Sequence, residues 1–276
     1  MNLNSLKNHY SIVIGFAVFC FFLIISLCAP LLATHDPNTV FSESFRLSPN
    51  SIFLFGTDDL GRDIYSRILY GGRVSLGLGF IVVINSVFLG TVLGLISGYL
   101  GGIIDQIIMR IVDLLMSIPG ILLAILIVAI LGTGTTNAII AVTLFYIPQF
   151  IRIIRSQVID EKNKQYVLAS TTIGASKSRQ MFVNILPNCL PLIIIQATMS
   201  FSSAILDVAA LGFLGLGVQA PTPEWGTMLS DARSYMDTQP YMVIIPGLAI
   251  FFIVIALNLL GDGLRDILDP KLKRQS

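Results

Sequence analysis

Long apolar runs separated by short polar segments dominate the chain. The first extends from about residue 12 to 32 without a charged side chain, and others occupy residues 74–99, 111–131, 138–154, 190–213 and 241–260. Each is close to the ~20 residues that a helix needs to cross ~30 Å of hydrocarbon, so the pattern predicts an all-α, polytopic membrane protein of six transmembrane helices. Two polar interruptions, residues 34–73 and 160–188, are too long to be simple turns. On this division residues 1–73 form a membrane helix and the loop after it. Residues 74–276 form a core of five helices that carries the 160–188 segment.

The spans are not uniformly apolar. In the second, Ser86, Gly90, Gly94 and Gly98 recur every fourth residue and leave one helix face bare for close helix packing. In the fifth, Gln196, Ser200, Ser203 and Asp207 form one polar stripe. Lipid contact along that stripe would be costly, so it is expected to face a water-filled translocation path or, as the alternative, a buried packing seam. Arg110 and Asp113, three apart near the start of the third span, are placed to pair. Pro119, Pro148 and Pro246 are expected to break their helices.

In the 160–188 segment, Val167, Leu168, Ile173, Met181, Phe182 and Ile185 suit two short amphipathic helices joined at Gly174, where positive φ carries no Cβ penalty. Pro187 suits the first turn of the helix that follows. In the 34–73 loop, Asp58 or Asp59 can cap a short helix whose Leu60, Ile64, Ile68 and Leu69 rest on the bilayer surface. Beyond the fifth span, Pro221 and Pro223 stiffen a loop and Trp225 can anchor it at the membrane interface.

Composition sharpens this picture. Of 276 residues 54% are hydrophobic and 12% charged, against about 25% charged in soluble domains, which excludes a soluble core. A net charge of +1 gives no reason to invoke nucleic acid. The first apolar run exceeds a signal-peptide core, so it is read as a retained helix. Cys20 and Cys28 would lie about 12 Å apart on one helix and cannot bridge, and Cys189 stands alone. With only His9 and His35, no metal site and no nucleophile beside a base is visible. No phosphate-cradling G-x-x-x-x-G-K-[ST] occurs, so the chain is not expected to hydrolyse ATP itself.

Lysine and arginine set the orientation. A cytosolic N-terminus places Lys7, Arg110, Arg152, Arg155, Lys162, Lys164, Lys177, Arg179, Arg265, Lys271, Lys273 and Arg274 inside. Only Arg46, Arg62, Arg67, Arg73 and Arg233 then face out, and this bias places the 160–188 segment in the cytosol.

The string A-S-T-T-I-G-A-S at 169–176, followed by L-P at 186–187, resembles the coupling loop of ABC importer permeases. Ala169, Gly174, Leu186 and Pro187 match its E-A-A…G…I-x-L-P pattern; Leu168, Ser170 and Asn184 depart from it. F-G-T-D-D-L-G-R-D at 55–63 is similar to a signature of the peptide and nickel importer permeases, with Gly56, Thr57, Asp58, Gly61, Arg62 and Asp63 in the matching positions. F-L-G-L-G and P-T-P-E-W-G, the latter with Pro223, Trp225 and Gly226, look like an outer loop of the same subfamily.

The resemblance implies a type I ABC importer permease in a bacterial cytoplasmic membrane, with both termini cytosolic. Tyr166, Ala169, Ser170, Gly174, Ala175 and Ser176 would dock on an ATPase. The implied partners are a second homologous permease, two ATP-binding subunits and an extracytoplasmic substrate-binding protein. ATP and Mg would sit on the ATP-binding subunits, with no cofactor on this chain. Di- or oligopeptides are the implied cargo and nickel the alternative. A secondary carrier, driven by an ion gradient through intramembrane carboxylates, is a further alternative; Asp113 and Asp207 are its only candidates, both near span ends.

Overall fold

Apolar runs become helices in lipid because only internal hydrogen bonds satisfy their backbone groups. The computed structural model describes residues 3–268, with side chains from Tyr10 onward. Its helices are α1 (Leu3–Leu27), the single turn α2 (Ala29–Leu32), α3 (Ile64–Leu100), α4 (Gly102–Met116), α5 (Gly120–Leu131), α6 (Thr135–Lys162), α7 (Gln165–Thr172), α8 (Lys177–Arg179), α9 (Leu186–Phe213), α10 (Trp225–Ala232) and α11 (Tyr241–Leu268). A π-helical turn, Gln180–Ile185, joins α8 to α9. Lys271, Lys273, Arg274 and the side chains of Lys7 and His9 lie outside the described residues.

Among the described residues, five helices are long and apolar enough to cross singly: α1, α3, α6, α9 with the turns leading into it, and α11. The sixth crossing is broken. α4 and α5 meet at a 94° bend, where Pro119 lacks an N–H and disfavours the helical conformation for Ile118. Connectivity nevertheless carries this pair across. Lys162 Nζ donates to the Gly98 carbonyl at 2.8 Å, which brings the ends of α3 and α6 together. Gly134 N donates to the Leu216 carbonyl at 3.4 Å at the opposite end of the bundle.

The first of these ends carries residues 163–185 and is called the elbow end; the second carries residues 33–63 and 214–240 and is called the loop end. A Cβ on Gly263 would lie 1.9 Å from Ile12 Cγ1, so the start of α1 and the close of α11 share the elbow end.

The bare face of α3 packs on α6 of the same chain. A Cβ on Gly90 would lie 2.3 Å from Phe150 Cβ, one on Gly94 2.9 Å from Ile154 Cβ, and one on Gly98 2.8 Å from Val158 Cβ. Ser86 completes the row, its hydroxyl donating to Val82 O at 2.8 Å and reaching Thr143 O of α6 at 3.4 Å.

Outside the elbow, the structure corrects four expectations. Pro148 and Pro246 sit inside α6 and α11 without breaking them, so Pro119 alone of the three ends a helix. Asp113 pairs with Arg152 of α6 at 2.9 Å rather than with Arg110. The inclination of α4 lays its acidic positions against the arginines of α6, and Asp105 likewise meets Arg155 at 2.5 and 2.6 Å. No separate surface helix begins at Asp58 or Asp59. Asp63 caps α3 instead, accepting from Ser66 N at 3.1 Å; Leu60 stays exposed in the loop, while Ile64, Ile68 and Leu69 are buried. α3 runs unbroken through position 73. The fourth, at Trp225, belongs to the loop end and is described with it below.

Candidate functional site

The elbow begins where α6 stops and Asn163 Nδ2 folds back on Ile159 O at 3.0 Å. α7 follows, then Gly174 turns the chain at φ +85°, and Ser176 caps α8 by accepting from Arg179 N at 3.3 Å. The second expected amphipathic helix does not stand alone: α8 passes through the π-helical turn into α9. The wider turn keeps Met181, Ile185 and Cys189 buried on one face. Pro187 occupies the first turn of α9. Val167 is also buried, but Leu168, Ile173 and Phe182 are not; Ile173 is 86% exposed.

A polar seam ties α7 to both neighbouring spans. Glu161, at the end of α6 and 3% exposed, accepts from Tyr166 OH at 2.6 Å, from Gln157 Nε2 at 3.3 Å and from Lys164 Nζ. Tyr166 OH in turn accepts from Asn188 Nδ2 of α9 at 2.9 Å. Asn184 Nδ2 donates to Ser170 Oγ at 2.8 Å and to Gln180 Oε1 at 2.9 Å, and Gln180 Nε2 donates to Thr171 Oγ1 at 3.1 Å. Burial, then the bond to Glu161, pushes the Tyr166 phenol up to about 12, so it is a neutral donor at physiological pH. Of the other elbow residues singled out, Ala169, Gly174 and Ser176 are exposed and Ala175 is half-buried.

The polar stripe of α9 meets α6 at Asp207. Gln196 Nε2 donates to Ser200 Oγ at 3.2 Å, and Tyr146 OH donates to Asp207 Oδ2 at 2.7 Å. Ser200 is buried, Gln196 and Asp207 are half-buried and Ser203 is exposed. An apolar groove of about 940 Å³ between α1, α3 and α9 is lined by Phe16, Phe80, Phe88 and Leu190 but by none of the four stripe residues.

At the loop end the polar residues of the 55–63 string bond among themselves and their neighbours. Thr57 Oγ1 donates to Ser44 O at 2.5 Å and accepts from Leu47 N at 2.8 Å. Gly56 and Gly61 hold positive φ in the turns. Arg62, 4% exposed, meets Asp58 at 2.6 Å, Asp231 of α10 at 3.5 Å and Asp59 at 3.7 Å. Asp63 Oδ2 takes Ser66 Oγ at 2.6 Å and Thr34 Oγ1 at 2.9 Å.

Trp225 is not an interfacial anchor. It is 1% exposed, its Nε1 donates to Ile68 O at 3.0 Å, and its ring lies against Gly71 and Gly72, whose Cβ atoms would come within 3.1 and 3.0 Å of it. Beside it Glu224, fully buried, accepts from Ser75 Oγ, Gly226 N and Thr227 N, each at 2.9 Å. Pro223 and Gly226 are buried beside the same pair.

Sequence reasoning missed Glu161, Asn188, Tyr146 and Glu224. Tyr146 and Asp207 lie 61 positions apart, so no local spacing joins them. Glu224 did carry a signal, since a negative side chain directly before a helix start complements the helix dipole. Among the described residues, no group of three His, Cys, Asp or Glu is placed to hold a metal ion.

A family model described as binding-protein-dependent transport system inner membrane component matches residues 90–274. The di/tripeptide transport system permease protein DppC of Pseudomonas aeruginosa is 50% identical over 92% of this chain and 86% of its own length. The dipeptide transport system permease protein DppC of Escherichia coli K12 is 47% identical over 97% and 91%. The glutathione transport system permease protein GsiD of Pectobacterium atrosepticum is 44% identical over 97% and 89%. Among solved structures, an inward-facing MetNI methionine ABC transporter chain shares the fold, with a TM-score of 0.58 at 20% identity over 72% of this chain and 94% of that one.

Proposed function

The chain belongs to the family of binding-protein-dependent transport system inner membrane components, and from that premise we propose that it forms half of the translocation path of an ATP-driven importer for di- or oligopeptides. The relatives named for dipeptide transport, matched over nearly their whole length, support the cargo. The elbow carries the mechanism: α7 stands off the bundle with Leu168 and Ile173 bare, while hydrogen bonds fasten it to the ends of α6 and α9. Exposed apolar side chains at that point suit docking on a cytosolic ATP-binding subunit, and the seam passes the motion of that subunit into two spans, so that rocking helices open the path alternately to each side.

In this arrangement the elbow end and both termini are cytosolic. The loop end faces a substrate-binding protein outside a bacterial cytoplasmic membrane, a second homologous permease closes the path, and ATP and Mg belong to the ATP-binding subunits. The test is reconstitution of the assembly with Gly174→Val. A β-branched residue is strained at φ +85°, so ATP-driven peptide uptake should fall by about tenfold or more while insertion of the chain is retained, a loss of roughly 1.4 kcal/mol in coupling. Uptake at the unsubstituted rate, or labelling of position 174 from outside the cell, would overturn the assignment.

A further inference from the structure

Asp207 is a carboxylate set inside a span, some 9 Å short of the end of α9 by helical rise. Such a group is costly in a membrane domain unless a partner or water meets it. Among the described residues, the one hydrogen bond it receives is from Tyr146 OH, at 2.7 Å to Oδ2. A neutral phenol satisfies one oxygen and supplies no charge, and among the described residues no lysine, arginine or histidine forms an ion pair with Asp207. Among the described residues the second oxygen, Oδ1, takes no bond, yet it is not enclosed. It therefore opens outward, on the same helix face as Ser203, which is exposed. Tyr146 is 3% exposed and held by packing, so it fixes the carboxylate from behind and leaves the free oxygen in front.

The chemistry that completes this arrangement is a cation with hydrogen-bond donors. A hard divalent ion takes six or more oxygens, which one carboxylate and scattered hydroxyls do not supply. A primary ammonium needs one charged acceptor and can share its remaining donors with hydroxyls or water. We propose that Asp207 is the contact for the terminal ammonium group of a peptide crossing the bundle, with Tyr146 as its positioning residue. This inference rests on the peptide-import reading above.

The test is a double-mutant cycle on uptake by the reconstituted assembly. The two cargoes are a dipeptide with a free N-terminus and the same peptide acetylated there, each with the unsubstituted chain and with Asp207→Asn. Asparagine keeps an oxygen for Tyr146 OH and the shape of the side chain, so only the charge is removed. Any preference of the binding protein is common to both chains and cancels in the ratio of ratios. Removing a charge-assisted bond should reduce the preference for the free ammonium by about tenfold. Asp207→Ser, smaller and neutral, should do the same and serves if the asparagine variant does not assemble. An unchanged preference in both variants overturns the inference and leaves Asp207 as a fastening of α9 to α6. Failure of the unsubstituted assembly to import peptide at all would instead overturn the reading on which it rests.

Discussion

The two ends of the bundle use the same polar chemistry for opposite purposes. At the loop end, Glu224, Arg62 and Asp63 are buried and their bonds run inward, while the apolar mass of Trp225 fills the space above Gly71 and Gly72. At the elbow end Glu161 and Gln180 are just as buried, but their bonds hold out a helix whose Leu168 and Ile173 face away from the protein. A buried polar network thus closes one end on itself and braces a projecting surface at the other. What separates the two is where the apolar side chains go.

That contrast can be broken most forcefully at Trp225. Trp225→Ala should cost about 3–5 kcal/mol by leaving a cavity, read as a lower unfolding temperature of the purified chain in detergent. Ile173→Ser at the elbow should change stability by less than ~0.5 kcal/mol while reducing uptake; equal thermal losses at the two sites would erase the distinction.

A smaller effect is expected at Tyr166. Tyr166→Phe removes one donor to Glu161 and should cost ~1.5–3 kcal/mol at most, but peptide imported per ATP hydrolysed should fall, because the hydroxyl that bonds α7 to both α6 and α9 is lost. An unaltered ratio would reduce the seam to local packing.

The smallest effect is a pH dependence confined to the loop end. Burial holds the carboxyls of Asp59, Glu224 and Asp231 above the ordinary carboxylate range, reinforced at Asp59 by Asp58 and at Asp231 by Asp59. The folded chain then keeps these protons to higher pH than the unfolded chain does. Their stabilising contribution is full below the ordinary carboxylate value and is lost as pH rises through the raised ones. Unfolding temperature should therefore decline as pH rises across that window. Asp231→Asn should flatten the decline, and an equally steep profile in the variant would remove Asp231 from the account.

Several features were legible in the residues because they are periodic. Hydrophobic runs located the crossings, and a four-residue recurrence marked the bare face of α3. The polar stripe on α9 and the glycine joint of the elbow were equally plain. Pro148 and Pro246 misled, since a proline removes one helical bond but does not break a helix where the proline itself is buried against neighbouring helices. Arg110 misled because an i, i+3 pair is only one option once a second helix offers Arg152 to Asp113.

Periodicity is a property of neighbours along the chain, so lengths, faces and turn positions could be written down before any fold was known. Which face meets which depends on the tilt and rotation of whole helices, and those follow from the packing of the complete bundle. Hence α6 as the partner of the α3 glycines, Tyr146 behind Asp207 and Trp225 beneath the loop came from the fold alone. In each case the interacting groups are separated by tens of residues or more, beyond the reach of any local rule.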